Sequence, residues 1–305
     1  MRFLGKQNII GNPPGPGRGY SFSSAVKMLL AGFVLAVVLL HKLPPTLRYY
    51  CYSAVRELIK VHAVIGAWHM EKLTSEHFYI KFKPGERAGA ELALETAERF
   101  YHPVAKGFGF TARAKIPIII YSCREELNKS FGWEAKENAI GVYWAGTIRV
   151  LTPEAWIGEE EPGRVADVFT NSGPMVHEFA HLIVDYMTGG NYPRWFTEGV
   201  AQHEEYKQTG FEFRDAAGSL NQPLYSMQEL AGDFDNLPNQ SLAYRESFAA
   251  VRYIVSRYGE EVFLDLIKEL RDGKDFNRAM QNILGLDEAG FEARWQEWAH
   301  LQFQD

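Results

Sequence analysis

The sequence His177-Glu178-Phe179-Ala180-His181 is followed, after a short intervening segment, by Trp195-Phe196-Thr197-Glu198-Gly199. On a helix, positions i and i+4 share one face, so His177 and His181 can present two imidazoles to one metal ion. Glu178 lies at the flank of that face, where a carboxylate can reach a metal-bound water without displacing it. The first segment therefore predicts a metal-binding helix that carries its own general base.

The second segment supplies a candidate third ligand, Glu198. A helix starting near Pro193 would pack antiparallel to the first after a short turn, which returns Glu198 to the histidine face. Two His and one carboxylate leave the fourth position of a tetrahedral zinc ion open, the arrangement of a catalytic site. The alternative is an exposed helix with two solvated histidines. The apolar residues 182–184, which continue the first helix, favour a buried helix instead.

The ends of the metal-binding helix are also marked in the sequence. Ser172 and Gly173 can cap its N-terminus, and Pro174 suits the first turn of a helix. Gly189 and Gly190 are typical of a helix C-terminus. We therefore predict that the metal-binding helix begins near Pro174 and ends at Gly189-Gly190.

These residues resemble the zincin metallopeptidases of the glutamate-ligand type, the gluzincins. Residues 177–186 are similar to the active-site helix of thermolysin-like enzymes, and residues 195–201 to the peptidase MA-like family of bacterial membrane-linked proteins. The resemblance covers roughly residues 78–303, and its specific motifs lie between 171 and 260. It implies a zinc metallopeptidase that acts on a peptide or protein substrate.

The resemblance also implies the roles of single residues. His177, His181 and Glu198 would hold Zn²⁺, and Glu178 would be the general base. Zinc lowers the pKa of its bound water to about 7, which makes hydroxide available at neutral pH. One departure concerns Gln202, because thermolysin-like enzymes have an Asp at this place. The hydrogen-bond acceptor for a ligand imidazole must then come from Gln202 itself, Thr197 or Asp185.

A donor for the developing oxyanion is expected downstream of the ligands. Residues 244–247, 252–253 and 258–263 resemble the aminopeptidase N-like gluzincins, in which the Tyr at the place of Tyr244 points at the oxyanion. His203 and Tyr206 are alternatives, because both lie on the Glu198 helix. Tyr244 as an ordinary core residue is a further alternative.

The expected substrate preference of this chain can be compared with that of the same aminopeptidases. They use a Gly-x-Met-Glu-Asn loop whose Glu binds the free amine of the substrate. The matching residues 141–146 here are Gly-Val-Tyr-Trp-Ala-Gly. An endopeptidase that acts on an extended segment is therefore favoured over an exopeptidase. In the resembled family an edge strand above the zinc pairs with substrate, and residues 139–144 or 147–151 are the candidates here. An ordinary inner strand is the alternative.

Length, composition and charge are those of a globular protein. The chain has 305 residues, of which 46% are hydrophobic and 23% charged, enough for one large domain or two lobes around a cleft. The net charge is −6, although residues 1–60 hold eight basic residues and one acid, Glu57. An acidic main domain gives no reason to expect a nucleic-acid partner.

Cys51 and Cys123 are too few for a thiolate cluster, and we expect them unpaired, with a disulfide as the alternative.

Residues 28–40 are an unbroken apolar run. Extended to residues 26–43, a helix would span about 27 Å, close to the roughly 30 Å hydrocarbon layer. We predict a transmembrane anchor at 26–43, a flexible cytoplasmic leader at 1–25 and a helical stalk at 44–76. A cleaved signal peptide and a buried soluble helix are the alternatives, although no A-x-A cleavage site follows.

The anchor predicts a single-pass protein of the cell membrane that contacts lipid through this helix. The basic residues on its two sides are nearly balanced, so the orientation depends on the short basic N-terminus, which usually stays inside. We therefore expect the catalytic domain on the extracytoplasmic side.

The rest of the chain predicts an α+β, zincin-like fold. A mixed β-sheet upper lobe with the active-site helix is expected at 77–190, and an all-helical lower lobe with the third ligand at 191–305. Before the motif, strands are predicted at 78–82 and 116–121, a strand or hairpin at 139–151, and helices at 86–107 and 124–131. After Glu198, helices are predicted at 226–231, 241–258, 260–272, 275–284 and 287–302.

Two readings compete with the peptidase. One is a non-catalytic zinc-bound or metal-free surface domain that binds peptides or partner proteins. Retention of Glu178 counts against it, because zinc binding alone does not need this residue. The other is a metal-dependent hydrolase of non-peptide amides.

Overall fold

The computed structural model describes residues 43–132, 138–158 and 161–303. Residues 44–305 form one compact unit, distinct from residues 1–43. The predicted leader and all of the predicted anchor except Leu43 lie outside the described residues. Within the described ranges, no helix combines the length and apolar character needed to cross a membrane.

Helix α1, Pro45–Gly66, forms most of the predicted stalk. Pro45 stands at its first turn, where the missing N–H of proline leaves no hydrogen bond unmade. The predicted stalk continued to residue 76, but Glu71–Thr74 form strand β1 and pair with the next strand. The end of the predicted stalk is therefore part of the sheet.

The described strands form one mixed five-stranded sheet in the order β1-β2-β3-β5-β4. Outer pairs β1/β2 and β4/β5 are antiparallel, and inner pairs β2/β3 and β3/β5 are parallel. Strand β4 is thus an edge strand and β5 an inner strand. The strands are β2 (Phe78–Phe82), β3 (Ile116–Tyr121), β4 (Gly141–Trp144) and β5 (Thr147–Leu151), with helices α2 (Arg87–Phe108) and α3 (Arg124–Lys129) between them.

Three helices follow the sheet: α4 (Pro162–Ser172), α5 (Met175–Thr188) and α6 (Arg194–Thr209). Helix α4 was not predicted from the sequence. It ends at Ser172, so Ser172 and Gly173 do not cap α5, whose N-cap residue is Pro174. The predicted end of α5 is confirmed, because Gly189 adopts a left-handed conformation with φ 66°.

The described chain after α6 is mostly helical, as predicted. The helices are α7 (Met227–Gly232), α8 (Gln240–Tyr258), α9 (Glu260–Arg271), α10 (Phe276–Leu284) and α11 (Glu288–Gln302). A five-stranded mixed sheet among the described residues, followed by packed helices, confirms the α+β class.

Helix α6 is held in place by aromatic packing at its first turn. The ring of Trp195 lies 5.0 Å from Phe276 and 6.1 Å from Phe291, centroid to centroid. Phe196 packs in turn on Phe263 and Phe276. These packed rings fix the start of α6 against α9, α10 and α11, two residues before Glu198.

Candidate metal centre

The predicted ligands His177, His181 and Glu198 converge in the structure. One donor atom from each lies within 4.8 Å of the others. Nε2 of His177 lies 3.3 Å from Oε2 of Glu198, and Nε2 of His181 lies 3.5 Å from the same oxygen. Two imidazole nitrogens and one carboxylate oxygen therefore share one small volume, as metal coordination requires.

Helix packing produces this convergence. Helix α5 buries Phe179, Leu182 and Ile183 completely or almost so, which fixes the direction in which its histidines point. Helix α6 packs against α5, and Glu198 is only 1% exposed. An ionised carboxylate at such a depth requires positive charge nearby, because burial without a partner is costly.

The second nitrogen of each imidazole also has a partner. Thr197 Oγ1 lies 2.7 Å from Nδ1 of His181, and Glu205 Oε2 lies 3.3 Å from Nδ1 of His177. With Nε2 facing the ligand cluster, each Nδ1 carries its proton and donates to these oxygens, which orients the ring. Thr197 was one of the three acceptors considered from the sequence, whereas Glu205 was missed.

The other two considered acceptors have different partners. The Gln202 amide donates to the Tyr244 carbonyl oxygen at 2.9 Å and to that of Glu198 at 3.3 Å. Asp185 accepts hydrogen bonds from tyrosine hydroxyls and from Arg56. Neither is bonded to a ligand imidazole among the described contacts.

Arg194 binds the other oxygen of Glu198. Its Nη2 lies 2.8 Å from Glu198 Oε1, one helical turn away on α6. Burial alone would raise the pKa of Glu198, but Arg194 and the two histidines outweigh it and hold the pKa well below its usual value. Glu198 therefore stays ionised, with Oε2 directed at the imidazoles.

The two histidines respond differently to the same surroundings. Burial lowers the pKa of His181 to about 4. For His177 burial acts in the same direction, but the Glu198 and Glu205 carboxylates outweigh it and raise its pKa. A group of buried carboxylates that draws positive charge onto an imidazole is chemically suited to hold a cation.

Glu178 lies beside the ligand cluster at the edge of the sheet. Its Oε2 accepts a hydrogen bond from the backbone N–H of Tyr143 on β4 at 2.5 Å. Burial raises its pKa to about 7. A Cβ atom added to Gly141 on β4 would come within 3.0 Å of Glu178 Oε1 and 2.4 Å of Pro174 Cβ. The edge strand and the start of α5 are therefore in close contact at this carboxylate.

A comparison with protein families adds an independent finding. The family model of the Peptidase MA superfamily matches residues 103–301, which includes every residue of the ligand cluster. The chain belongs to the peptidase MA superfamily. This is a superfamily of generally metal-dependent peptidases, so a peptidase-like activity on peptide or protein substrates follows. No curated protein matches the chain.

In this member of the peptidase MA superfamily, the candidate oxyanion donor Tyr244 interacts electrostatically with the candidate ligand Glu198. The Glu198 carboxylate, with burial second, raises the pKa of its hydroxyl. His203 instead lies among Lys207, Arg252 and Glu260, and burial lowers its pKa to about 4. Tyr206 stacks with the Arg252 guanidinium. The placement therefore favours Tyr244 over the two alternatives.

The far end of α5 is tied to both β4 and α1 through Asp185. Its Oδ2 accepts from the Tyr143 hydroxyl at 2.6 Å and from Arg56 Nη1 at 3.1 Å. Its Oδ1 accepts from the Tyr52 hydroxyl at 2.5 Å. Tyr143 thus contacts Glu178 through its backbone and Asp185 through its side chain, so one edge-strand residue spans almost two turns of α5.

A cavity of about 230 Å³ opens beside the ligand cluster. Its lining combines site residues with the β4–β5 turn and helix α1. The lining residues are His181, Arg194, Thr197, Tyr143, Trp144, Ala145, Tyr52, Val55, Arg56, Ile59, Asp185 and Tyr192. A larger cavity of about 530 Å³ lies between β1 and α2 and shares none of these residues.

A second group of possible ligands, Glu76, His77 and Glu98, lies away from this site. Nδ1 of His77 is already bonded to Glu98, and the His77 ring stacks on Tyr101 at 3.6 Å. Glu76 is 78% exposed. These contacts are those of a structural His–Glu pair, so the first group remains the candidate metal centre.

Proposed function

We propose that this chain is a zinc-dependent endopeptidase, anchored in a membrane, that hydrolyses peptide bonds in extended protein segments. The observation that carries the proposal is the convergence of His177, His181 and Glu198 with Glu178 at their side. The superfamily membership supports the coarser conclusion of a metallopeptidase.

The donor set fits zinc. Two neutral imidazoles and one carboxylate are typical ligands of a catalytic zinc ion. Thr197 and Glu205 bind the Nδ1 atoms of His181 and His177, and Arg194 binds the second carboxylate oxygen of Glu198. When bound, zinc would supply a Lewis acid for the scissile carbonyl and lower the pKa of a coordinated water. Because Arg194 binds Oε1 of Glu198, Oε2 remains available to coordinate the cation.

Glu178 is the proposed general base. Its Oε2 is held by the Tyr143 N–H, which leaves Oε1 to take a proton from the attacking water. The same oxygen then delivers that proton to the leaving amine, as general acid–base catalysis requires. The hydrogen bond from the edge strand fixes the carboxylate so that this transfer needs no rotation.

Tyr244 is the proposed donor to the oxyanion. A tyrosine hydroxyl keeps its proton at neutral pH and can donate a hydrogen bond. Its electrostatic coupling to Glu198 supports a position near the reacting carbonyl. A preorganised donor of this kind acts on the transition state more strongly than on the substrate.

The substrate is proposed to lie along β4. This strand is at the edge of the sheet and its Tyr143 touches Glu178, so an extended peptide paired with β4 would pass the general base. The neighbouring cavity of about 230 Å³ would take one substrate side chain. Its apolar walls, which include Val55, Ile59 and Trp144, favour an apolar side chain.

The membrane attachment rests on the apolar run at residues 28–40. Residues 26–43 would span the cell membrane once and place residues 44–305 on the extracytoplasmic side. Substrates would then be proteins exposed at that membrane surface.

A variant series tests the proposal on the purified full chain with a quenched peptide library. Glu178→Gln is expected to lower kcat/KM by about 10²–10⁴-fold, because proton transfer is lost, while elemental analysis finds the same zinc content. Tyr244→Phe is expected to lower kcat by about 10²–10³-fold with little change in KM. His181→Ala should lose both zinc and turnover.

Glu95→Gln is the matched control, because Glu95 lies exposed on α2. It should retain zinc and turnover. Equal turnover in Glu178→Gln and the natural sequence, or no turnover in either with zinc bound, would refute a zinc peptidase. A zinc-bound protein without turnover would then be a peptide-binding domain.

A further inference from the structure

Helix α1 turns its polar side toward the folded domain. Tyr52 and Arg56 bind Asp185, as described above, and Tyr49 donates to the Tyr186 carbonyl oxygen at 2.9 Å. The Arg56 guanidinium also lies 3.6 Å from the centre of the Tyr186 ring. The contacts between α1 and α5 are therefore largely hydrogen bonds and cation–π contacts, and Leu47, Leu58, Val61 and Ile65 of α1 are left exposed.

The opposite side of α1 carries a regular apolar stripe, which we call the outer seam. Its members recur at alternating intervals of four and three residues: Leu47, Cys51, Ala54, Leu58, Val61 and Ile65. This is the a/d repeat of a coiled coil, with Cys51, Leu58 and Ile65 at a positions and the others at d.

The outer seam is exposed in the described structure. Leu58 is 70% exposed, Ile65 62%, Val61 50% and Leu47 45%, and Cys51 is half-buried. Most of the exposed large apolar side chains of the described residues lie on or next to this one helix. A concentration of apolar surface of this kind marks a site of association.

Two other occupants fit the seam less well than a second helix. A helix that lies on a lipid surface carries Lys and Arg on the flanks of its apolar face, but Arg56 and Lys60 of α1 point inward to Asp185 and Tyr186. The apolar run at residues 28–40 would be apolar all round as a helix. Packed on the seam, it would expose its other sides, so it does not match a single stripe.

We propose that the outer seam is the interface with a second copy of this chain, in a parallel two-helix coiled coil. The positions that flank the seam do not oppose this pairing, because Glu57 at a g position and His62 at the e′ position of the partner helix are not like charges. Within its own chain, Glu57 is bound by Lys60 and by the Tyr186 hydroxyl. A parallel direction also agrees with the proposed anchor, since two chains held in one membrane would enter α1 from the same side.

The fold lowers the cost of this association. Isolated helices of three heptads are marginal in water because nucleation is unfavourable. Here α1 is already ordered by its contacts with α5, so the partner needs to supply only the apolar burial. Because the inner and outer faces lie on opposite sides of α1, dimerisation does not compete with the bonds to Asp185.

The mass of the full chain in detergent solution, measured by light scattering with the detergent contribution subtracted, tests the proposal. The natural sequence should have about twice the chain mass of 34.7 kDa at micromolar concentration. The double variant Leu58→Glu/Ile65→Glu should be a monomer with an unchanged circular dichroism spectrum, because both side chains are exposed in the single chain. Its dissociation constant should rise at least about tenfold, a difference of about 1.4 kcal/mol.

The control is Val168→Glu/Leu301→Glu, which places the same charges on exposed apolar residues outside the seam. It should remain a dimer. A monomeric natural sequence, a seam variant that stays dimeric, or a control that dissociates equally would each overturn the proposal. A monomer would point to lipid or to residues 28–40 as the cover of the seam.

Cross-linking tests the parallel register. In a Cys123→Ser background, a short bis-maleimide should join the two Cys51 thiols, because a parallel coiled coil places equal a positions opposite each other. The variant Cys51→Ser/Cys123→Ser/Val168→Cys should give no cross-linked dimer. Cross-linking that is equal in both, or absent from Cys51, would overturn the parallel pairing.

Discussion

At the level of single residues, helix α6 supplies most of the ligand environment. It carries Glu198, and it also carries Arg194 and Glu205, which bind Glu198 and His177 respectively. These positions lie one turn before and two turns after the ligand, so all three share one helix face. Charged residues at this spacing are a signal that could have been found in the sequence. Glu205 was nevertheless not predicted as a partner of His177.

Gly141 offers a test of the contact between the edge strand and the general base. Gly141→Ala is expected to displace Glu178, because the added Cβ would lie 2.4 Å from Pro174 Cβ and 3.0 Å from Glu178 Oε1. We expect kcat to fall by about 10²-fold, since small misplacements of catalytic groups cost this much. Steady-state kinetics on the peptide library measure the effect.

Gly158→Ala is the control for this variant, because nothing lies within 4 Å of the added Cβ. It should behave as the natural sequence does. Full activity in Gly141→Ala would mean that β4 does not hold Glu178 as described.

Glu246 provides a test of buried charge away from the metal centre. Burial raises the pKa of this fully buried carboxyl to about 8, and only its Oε1 has a partner among the described residues, the Tyr225 N–H at 2.9 Å. Between pH 4.5 and 8, the Glu246 carboxyl is ionised in the unfolded chain but keeps its proton in the folded protein. The free energy of unfolding should therefore fall with rising pH by up to about 1.4 kcal/mol per unit in this window.

Glu246→Gln removes this contribution. The variant should gain stability relative to the natural sequence at pH 8 but not at pH 4.5, as measured by urea unfolding at both values. Glu95→Gln, on the exposed face of α2, is the control and should show no such difference between the two pH values. An identical pH dependence for the natural sequence and Glu246→Gln would contradict the assignment.

At the level of elements, the site depends on how α5 is held by three neighbours. Helix α6 brings the candidate third ligand, β4 touches Glu178, and α1 binds Asp185. The sequence predicted α5, α6 and the β4–β5 hairpin because each has its own local pattern. It did not predict that Tyr143 joins the two ends of α5, since no spacing in the sequence links a strand residue to a helix more than thirty positions later.

Helix α4 shows a different limit of sequence reasoning. Its residues Pro162–Ser172 contain few apolar side chains, and only Phe169 is buried. Val165, Val168 and Phe169 nevertheless follow helical spacing, so the sequence contained a signal for this helix that the prediction did not use. Ser172 was consequently read as a cap of α5, whereas it is the last residue of α4.

The packing of α6 on α8 can be tested at Gly199. Ala has a higher helix propensity than Gly by about 0.5–1 kcal/mol, so an exposed site would gain stability. At Gly199, however, the added Cβ would lie 2.2 Å from the Ser247 carbonyl oxygen. We expect Gly199→Ala to lower the free energy of unfolding by about 1–3 kcal/mol, measured by urea titration.

Gly163→Ala in α4 is the control within a helix, because nothing lies within 4 Å of its added Cβ. It should leave stability unchanged or slightly raised. If Gly199→Ala were equally well tolerated, the close approach of α6 and α8 would be refuted.

At the level of the whole molecule, the metal is expected to stabilise the fold, since its ligands come from two helices and exist together only when α5 and α6 are packed. Binding to the folded state alone adds about 2.7 kcal/mol at a hundredfold excess over the dissociation constant. For a chain of this size, the Tm should then be higher by about 5–10 °C with zinc than with a chelator. Differential scanning calorimetry measures this difference.

His181→Ala should abolish the response of Tm to zinc, because a ligand is lost. His300→Ala, an exposed residue at the end of α11, should preserve it. A zinc response that survives in His181→Ala would place the cation elsewhere.

The candidate ligands His177 and His181 and the helix that carries them followed from the sequence alone, because helix periodicity puts residues i and i+4 on one face whatever the surroundings. The α+β class followed in the same way from local patterns. The partners that orient those groups were decided only by tertiary structure. The roles of Tyr143, Arg56 and the apolar stripe on α1 depend on how β4 and α1 pack around α5. That packing is determined by the burial of side chains from distant parts of the chain.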